Sequence, residues 1–223
     1  MAMSFSMVMG TIIIINGPSA SGKSSIQNEL QRQMPELYLK AGIDTFFDAL
    51  IPTPNLSDFE LTKSFQQYTN DGVLIRGVRL IQDAQGNQMV PLEIGPAGAA
   101  IISGMHFAIA AYANRGNNLI VDYILYKPEW LSDLAAALKN CKVYFVGIKV
   151  PLSILEERER IRATSPIGHA RSHYEEVHNG MIYDLELNVN EMKPNESAQK
   201  IIQFIRENPK PSALAKLCKQ CNC

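Results

Sequence analysis

The chain has 223 residues, of which 46% are hydrophobic and 19% charged, and its formal net charge is −1. This length and hydrophobic content predict one soluble domain with a sizeable core. The near-zero charge gives no general attraction to nucleic acid or to anionic membranes. No apolar run approaches the roughly 20 residues of a membrane span. Residues 1–10 lack a basic stretch and a clear cleavage site, so we expect them to lead loosely into the first strand. We also expect a cytoplasmic protein with reduced cysteines.

Strand and helix signals alternate along the chain, as in a parallel sheet that helices cover on both faces. The predicted core strands are 11–16, 37–43, 118–122, 143–150 and 182–188. The predicted helices are 23–34, 57–70, 97–114, 128–139, 152–163, 170–179 and 195–207. A β-hairpin is predicted within about 73–94, where two extended runs flank the turn 83–87. The pattern has no linker, which predicts a single domain over 1–210 followed by a tail over 211–223.

A phosphate-binding motif follows the first strand. Residues Gly17 to Ser24 fit the P-loop pattern G-x-x-x-x-G-K-S, between an isoleucine-rich strand and a helix. Its backbone amides can point at phosphate oxygens at the positive end of the helix. Lys23 is expected to neutralise the β- and γ-phosphates, and Ser24 to ligate Mg²⁺. The predicted nucleotide-binding residues, for ATP with Mg²⁺, are Gly17, Pro18, Ser19, Ala20, Ser21, Gly22, Lys23, Ser24 and Ser25.

Two acidic residues stand at the ends of predicted core strands. Asp122 ends the third strand, where a Walker-B acid holds Mg²⁺ through water, and Asp44 ends the second. Ligands of open α/β sheets gather at the carboxyl ends of the strands, so both acids and the P-loop are expected in one cleft. Asp44 can accept the proton of an attacking hydroxyl there. The alternative for each acid is a helix cap.

The charged helix after the fourth strand is predicted to begin a lid over about 156–171. Arg158 and Arg162 are four residues apart and share one helix face. In a small kinase, such arginines stabilise charge on the transferring phosphoryl group. The alternative is a solvated helix with pairs such as Glu156–Arg160, and this is the interpretation we prefer for Arg160.

Cysteines and histidines give weaker signals. Cys218, Cys221 and Cys223 crowd into the C-terminal tail with C-x-x-C-x-C spacing, which has no obvious fourth metal ligand. We expect this end to be mobile. His169 and His173 have i,i+4 spacing but lack the carboxylate of an H-E-x-x-H metal site, so a metal site is not predicted there.

With these residues, the chain resembles the chloramphenicol phosphotransferase family of P-loop kinases from about residue 11 to 205. The block Val177-His178-Asn179-Gly180 leading to Tyr183-Asp184 is more family-specific than the P-loop. The other matching segments are Asn16-Gly17 with Ser21-Gly22-Lys23-Ser24, Gly42-Ile43-Asp44-Thr45, Ile94-Gly95-Pro96, Ile120-Val121-Asp122, Val146-Gly147-Ile148, and Glu157-Arg158-Glu159 with Arg162.

This resemblance implies a three-layer nucleotide-kinase fold with a five-stranded parallel sheet in the order 2-3-1-4-5. It also implies that Asp44 is the base that takes a proton from the acceptor's primary hydroxyl. Compared with the chloramphenicol enzyme, this chain has a longer connection over 51–96 and Asp122-Tyr123 in place of a paired Asp-Asp. The acceptor pocket is therefore expected to be built from residues 51–96 and from Tyr123, Tyr126 and Trp130.

The sequence thus predicts an ATP-dependent phosphotransferase that modifies a hydroxyl of a small molecule, with antibiotic O-phosphorylation among the candidates. A sugar, a nucleoside or a nucleotide-sugar fits the same residues. A P-loop ATPase or nucleotide-gated switch without an acceptor is the alternative from another class. Neither a nucleic acid nor a membrane is expected as a partner, and the oligomeric state is not readable from the sequence.

Overall fold

The computed structural model describes residues 8–50, 77–162 and 165–223. Its strands are β1 (Thr11–Asn16), β2 (Tyr38–Gly42), β3 (Gly77–Val78), β4 (Ile81–Gln82), β5 (Gln88–Met89), β6 (Leu92–Glu93), β7 (Asn118–Tyr123), β8 (Lys142–Lys149) and β9 (Leu185–Asn188). Its helices are α1 (Lys23–Gln33), α2 (Ile43–Leu50), α3 (Pro96–Asn114), α4 (Glu129–Leu138), α5 (Leu152–Arg162), α6 (His169–His173), α7 (Pro194–Glu207) and α8 (Ala213–Cys221). The predicted helix 57–70 lies outside the described residues.

Five parallel strands form the central sheet in the order β2-β7-β1-β8-β9. Numbered along the chain as core strands, this is the predicted order 2-3-1-4-5. Strand β1 lies at the centre, and its four consecutive isoleucines, 12–15, are fully buried. Because side chains alternate along a strand, Ile12 and Ile14 face one hydrophobic cluster and Ile13 and Ile15 face the other.

Helices cover both faces of this sheet. On one face the core includes side chains of α3, α4 and α8, such as Ile102, Leu134 and Leu217. On the other face it includes side chains of α1 and α7, such as Leu30 and Ile201. The result is the predicted three-layer α/β arrangement. It brings the carboxyl ends of β1, β2 and β7 to one edge of the sheet.

Helix α3 departs from the expectation that no apolar run approaches the length of a membrane span. It has 19 residues, and an 18-residue window of it has a mean hydropathy of 1.3, so it is, within the described part of the chain, the one helix long and apolar enough to cross a membrane by length and composition. In the fold, Ile102, Met105 and Ile109 are buried in the core beside the sheet.

The inserted hairpin is present over the described part of its predicted range. Strand β4 pairs antiparallel with β5, and β3 pairs antiparallel with β6. The carboxylate of Asp83 accepts the amides of Gln85 and Asn87, and Gly86 adopts a φ of 81°. These contacts close the turn at 83–87. Residues 73–76 of the prediction lie outside the described residues.

The C-terminal segment is a packed helix, so the expectation of a mobile tail was wrong. Helix α8 buries Ala213, Leu214 and Leu217 in the core and contacts α4 and β8. The carboxylate of Asp184 accepts the amides of Ser212 and Ala213, which caps the start of this helix. The cysteine-rich segment is therefore an amphipathic core helix. Cys218 and Cys221 pack against the hydrophobic cluster that α3, α4 and α8 form with the sheet.

Candidate active site

The P-loop connects β1 to α1, as its sequence predicts. Gly22 has a left-handed φ of 93°, a conformation that favours glycine. At Gly17, a Cβ atom would lie 2.8 Å from the carbonyl oxygen of Ile148, so the backbone passes too close to β8 for any side chain. The two glycines of the motif are thus required by a turn and by a close approach, respectively.

Lys23 is buried within this loop, with 5% of its side chain exposed. Its ammonium group donates to the carbonyl oxygen of Pro18 at 2.7 Å and lies 3.9 Å from the Asp122 carboxylate. Burial lowers the pKa of Lys23, an effect that the negative charges of Asp122 and Asp44 oppose. The side chain is therefore held at the loop, and added phosphate charge there would further favour its protonated form.

Ser24 and Asp122 meet at the start of α1. The Ser24 hydroxyl donates to the Asp122 carboxylate at 2.6 Å. A hydroxyl and a carboxylate are oxygen donors of the kind Mg²⁺ prefers, and Mg²⁺ retains several waters. The described residues hold no group of three or more His, Cys, Asp or Glu side chains suited to a metal ion. The pair fits the water-rich Mg²⁺ site that the sequence predicts, not an all-protein metal cage.

Asp44 lines the same cleft. Strand β2 ends at Gly42, one residue before the predicted end, and helix α2 begins at once, so Asp44 stands exposed in its first turn. The cleft has a volume of about 490 Å³. Its lining includes Lys23, Ser24, Asp44 and Asp122, the residues predicted to meet there.

Gln27 positions the two acidic strand ends, a role that sequence reasoning missed. Its side-chain amide donates to the carbonyl oxygens of Ala41 and Ile120, each at 2.8 Å. Ala41 lies on β2, directly before the helix that carries Asp44, and Ile120 lies on β7, the strand that carries Asp122. One glutamine on α1 therefore connects both strands to the helix that follows the P-loop. A glutamine on an amphipathic helix gives no sequence signal for this contact.

The lid arginines occupy two different places. Arg162 lines the cleft, and its positive charge contributes to lowering the pKa of Lys23. Arg158 contacts the P-loop backbone, with its guanidinium 3.5 Å from the carbonyl oxygen of Ser21 and 3.4 Å from that of Asn190. The alternative pair Glu156–Arg160 is not the contact observed, because the Glu156 carboxylate binds Arg171 at 2.6 Å.

The family-specific segment, 177–184, contacts the residue that precedes the P-loop. Asn16, directly before Gly17, donates to the carbonyl oxygen of Val177 and to the hydroxyl of Tyr183, each at 2.7 Å. His178 contacts the same hydroxyl at 2.6 Å. Burial, and then the nearby charge of Lys149, lowers the pKa of His178 to about 4. A network of uncharged, largely half-buried side chains thus fixes the residue at which the P-loop begins.

The predicted acceptor pocket is only partly correct. Tyr126 lines the cleft, and its hydroxyl contacts His169 Nε2 at 3.1 Å. Tyr123 and Trp130 are instead buried in the core, with 0% and 5% exposed. The Tyr123 hydroxyl contacts His106, whose other ring nitrogen contacts Asp133. Tyr123 points away from the cleft because neighbouring side chains on β7 alternate in direction, and Asp122 takes the cleft side.

The chain is similar in sequence to known phosphotransferases. Residues 10–206 match the chloramphenicol phosphotransferase-like protein family. A Mycobacterium tuberculosis H37Rv protein, provisionally named an O-phosphotransferase, is 28% identical over 211 residues, covering 95% of this chain and 89% of its own.

Solved structures with the same fold include kinases. A Mycobacterium tuberculosis APS kinase has a TM-score of 0.54 at 16% identity, over 89% of this chain and 98% of its own. A Janibacter sugar kinase has a TM-score of 0.55 at 14% identity, over 91% and 97%. The Deinococcus radiodurans tunicamycin resistance protein has a TM-score of 0.54 at 18% identity, over 90% and 96%. The chain has the three-layer fold of P-loop kinases and is a phosphotransferase that belongs to the chloramphenicol phosphotransferase-like family.

Proposed function

We propose that this protein transfers the γ-phosphate of ATP to a hydroxyl group of a small molecule, with Mg²⁺ as cofactor. The observation that carries the proposal is the single cleft in which the P-loop, Lys23 and Ser24 face two carboxylates, Asp44 and Asp122. Hydrolysis alone would need only the nucleotide half of this arrangement. The second carboxylate, on another strand end, gives an acceptor hydroxyl a place to bind and a group to receive its proton.

Each residue has a separate part in the proposed reaction. The acceptor oxygen attacks the γ-phosphorus, the bond to the β–γ bridging oxygen breaks, and ADP leaves. Asp44 takes the hydroxyl proton. Lys23 binds the β- and γ-phosphates through its charge, and Arg162 and Arg158 stabilise charge on the transferring group. Mg²⁺, held by Ser24 and through water by Asp122, would neutralise phosphate charge.

The cleft that Asp44 lines favours a polar acceptor. Its lining includes Lys40, Asn28, Thr45, Tyr126 and His169, together with a few apolar side chains such as Leu92. Polar groups converging on one cleft recognise hydroxyls by hydrogen bonding. Chloramphenicol is the first acceptor to test, because the chain belongs to the chloramphenicol phosphotransferase-like family. With this acceptor, the biological function would be O-phosphorylation of an antibiotic. Sugars, nucleosides and nucleotide-sugars are compatible with the same cleft. The reaction belongs to the cytoplasm, where ATP and reduced thiols occur.

The experiment follows the γ-phosphate of labelled ATP into each of these acceptors in the presence of Mg²⁺, and measures ADP release in parallel. We expect label in one acceptor class and ADP release that depends on that acceptor. Rapid ADP release that no hydroxyl compound changes would favour the ATPase or switch alternative. Asp44→Asn is the matched control, because it should strongly slow acceptor labelling while nucleotide binding persists.

A further inference from the structure

The hairpin and the lid pack together through backbone contacts. We call residues 81–93 the hairpin strands and residues 165–173 the lid turn. The Val90 amide donates to the carbonyl oxygen of Gly168 at 3.1 Å, and the Gln88 side chain donates to that of Ile167 at 2.8 Å. A Cβ atom at Gly168 would lie 2.3 Å from the Gln88 carbonyl oxygen. The two segments are therefore in close contact.

Charged side chains strengthen this contact. Arg171 of the lid turn binds Asp83 of the hairpin at 3.2 Å and Glu156 of α5 at 2.6 Å. Glu159, only 1% exposed, accepts the amides of Gly168 and Ala170. The buried carboxylate thus fixes the backbone of the lid turn to α5, and Arg171 connects that turn to the hairpin. The three segments form one structural unit.

Two histidines continue the chain of contacts towards the nucleotide site. His169 Nδ1 lies 2.9 Å from the carbonyl oxygen of Val90, so this nitrogen carries the proton. His169 Nε2 lies 3.1 Å from the Tyr126 hydroxyl. The His169 and His173 rings are in contact, with their centroids 4.9 Å apart, and Tyr126 lies 4.9 Å from the His173 ring.

His173 contacts the P-loop itself. Its Nε2 lies 3.0 Å from the backbone nitrogen of Ser19, and the residue is 4% exposed. Because a backbone amide can only donate, Nε2 is unprotonated and accepts the bond. Burial, followed by the charges of His169 and Lys23, sets the pKa of His173 well below its usual range. The imidazole is therefore neutral at physiological pH and can keep this contact.

We propose that His173 is a positioning residue for the P-loop, and that through it the hairpin helps to set the affinity for nucleotide. The inference rests on the proposed function, because it assumes that the P-loop binds nucleotide phosphates. His173 holds the Ser19 amide, while its helix is fixed to Val90 by His169 and by Ser172, whose hydroxyl donates to the same carbonyl oxygen at 3.2 Å. A change at the hairpin, which contributes Leu92 to the lining of the cleft, then alters the P-loop.

The first test measures the Kd of Mg²⁺–AMP-PNP by calorimetry on the full chain. His173→Phe keeps a ring but cannot accept the Ser19 amide, whereas His173→Gln offers an amide oxygen. We expect His173→Phe to raise Kd about 3- to 10-fold, the equivalent of one lost hydrogen bond. His173→Gln should recover most of that loss. The control is Arg160→Ala, which removes an exposed lid-helix arginine and should leave Kd unchanged.

The second test changes the hairpin contact and leaves the P-loop and both histidines intact. Arg171→Ala removes the ion pairs to Asp83 and Glu156. We expect this variant to raise the Kd of Mg²⁺–AMP-PNP. In a chain that already carries His173→Phe, Arg171→Ala should raise the Kd no further, because the contact between the lid turn and the P-loop is then already lost. This variant also keeps the proposal testable if His173→Phe fails to fold.

The outcomes separate the two proposals. If the wild-type chain binds no AMP-PNP, the proposed function fails. If the wild-type chain binds AMP-PNP but His173→Gln raises the Kd as much as His173→Phe does, the positioning role is overturned. It is also overturned if Arg171→Ala has the same Kd as the wild type. Fully additive effects of Arg171→Ala and His173→Phe would also overturn it, since the hairpin would then act by a different route.

Discussion

At the residue scale, the P-loop lysine is the simplest side chain to test. Lys23 is buried, contacts the Pro18 carbonyl oxygen and lies beside Asp122, so its charge is already directed to the cleft. We expect Lys23→Ala to remain folded and to lose ATP binding and phosphoryl transfer together, because the phosphates lose their main counter-ion. Calorimetry and a transfer assay measure both effects. The matched control is Lys200→Ala on the exposed face of α7, and transfer at the wild-type rate by Lys23→Ala would contradict the assignment.

The two carboxylates of the cleft should respond differently to the same chemical change. Asp44→Asn keeps the size of the side chain but removes its basicity, so transfer should fall by roughly 10²–10⁴ while ATP binding persists. Asp122→Asn should instead raise the Mg²⁺ concentration needed for half-maximal activity. Rate measurements over a Mg²⁺ titration separate these effects. An Asp44→Asn variant that transfers normally, next to an Asp122→Asn variant that is inactive at every Mg²⁺ concentration, would exchange the two roles.

The two lid arginines make different contacts and should differ in effect. Arg162 lines the cleft, so Arg162→Ala should lower kcat by on the order of 10²–10³ with a small change in the KM for ATP. Arg158→Ala also removes contacts to the Ser21 and Asn190 carbonyl oxygens, so it should affect the KM for ATP as well. Steady-state kinetics distinguish the two patterns. Normal turnover by both variants would contradict a role for these arginines in phosphoryl transfer.

The site residues that sequence reasoning found are those whose chemistry is local. The P-loop is one contiguous motif, and Asp44 and Asp122 come directly after apolar strands, so spacing alone placed them at one sheet edge. His173 and Asn16 could not be found this way, because their partners lie 154 and 161 residues away in the chain. Such contacts depend on how the lid turn and the segment after it pack on the P-loop, which a single sequence does not reveal.

At the element scale, the same distinction explains which parts of the fold were predictable. Strand β1 was evident from four consecutive isoleucines, and the alternation of strands and helices implied a parallel sheet. Helix α8 was missed because the C-terminal segment, with two cysteines in the helix and Cys223 after it, has the cysteine spacing of metal ligands and the position of a mobile tail. Its buried positions, Ala213, Leu214 and Leu217, have helical spacing. Whether such a short amphipathic segment packs or stays free depends on an available surface, here α4 and β8.

Helix α8 should therefore contribute to stability. Leu217 is fully buried in the core, and replacing a buried leucine by alanine costs about 2–5 kcal/mol in the free energy of unfolding. We expect Leu217→Ala to lower that free energy by this amount in urea titrations. Lys216→Ala, on the exposed side of the same helix, is the control and should change it by less than about 0.5 kcal/mol. Equal stability of Leu217→Ala and the wild type would mean that α8 does not pack on the core in solution.

At the scale of the whole molecule, both hydrophobic clusters share the central sheet, and the active-site cleft lies where that sheet meets α1, α2 and the lid. Strand β1 contributes to both clusters through alternate isoleucines, so neither face can separate without exposing the other. The P-loop directly follows this central strand. Nucleotide binding should therefore stabilise the whole sheet and not a local segment, because ligand bound only by the folded state shifts the global unfolding equilibrium.

This arrangement predicts one cooperative unfolding transition for the proposed single domain. Trp130, the one tryptophan of the chain, is buried in the cluster formed by α3, α4 and α8, so its fluorescence reports on that face. Far-UV circular dichroism reports on all helices, including α1 and α7 of the opposite face. We expect both signals to have the same midpoint in urea, and Mg²⁺–AMP-PNP at 100 times its Kd to add about 2.7 kcal/mol to the free energy of unfolding seen by each. Two separate midpoints, or stabilisation that only one signal detects, would show that the two faces unfold independently and that the chain is not a single cooperative domain.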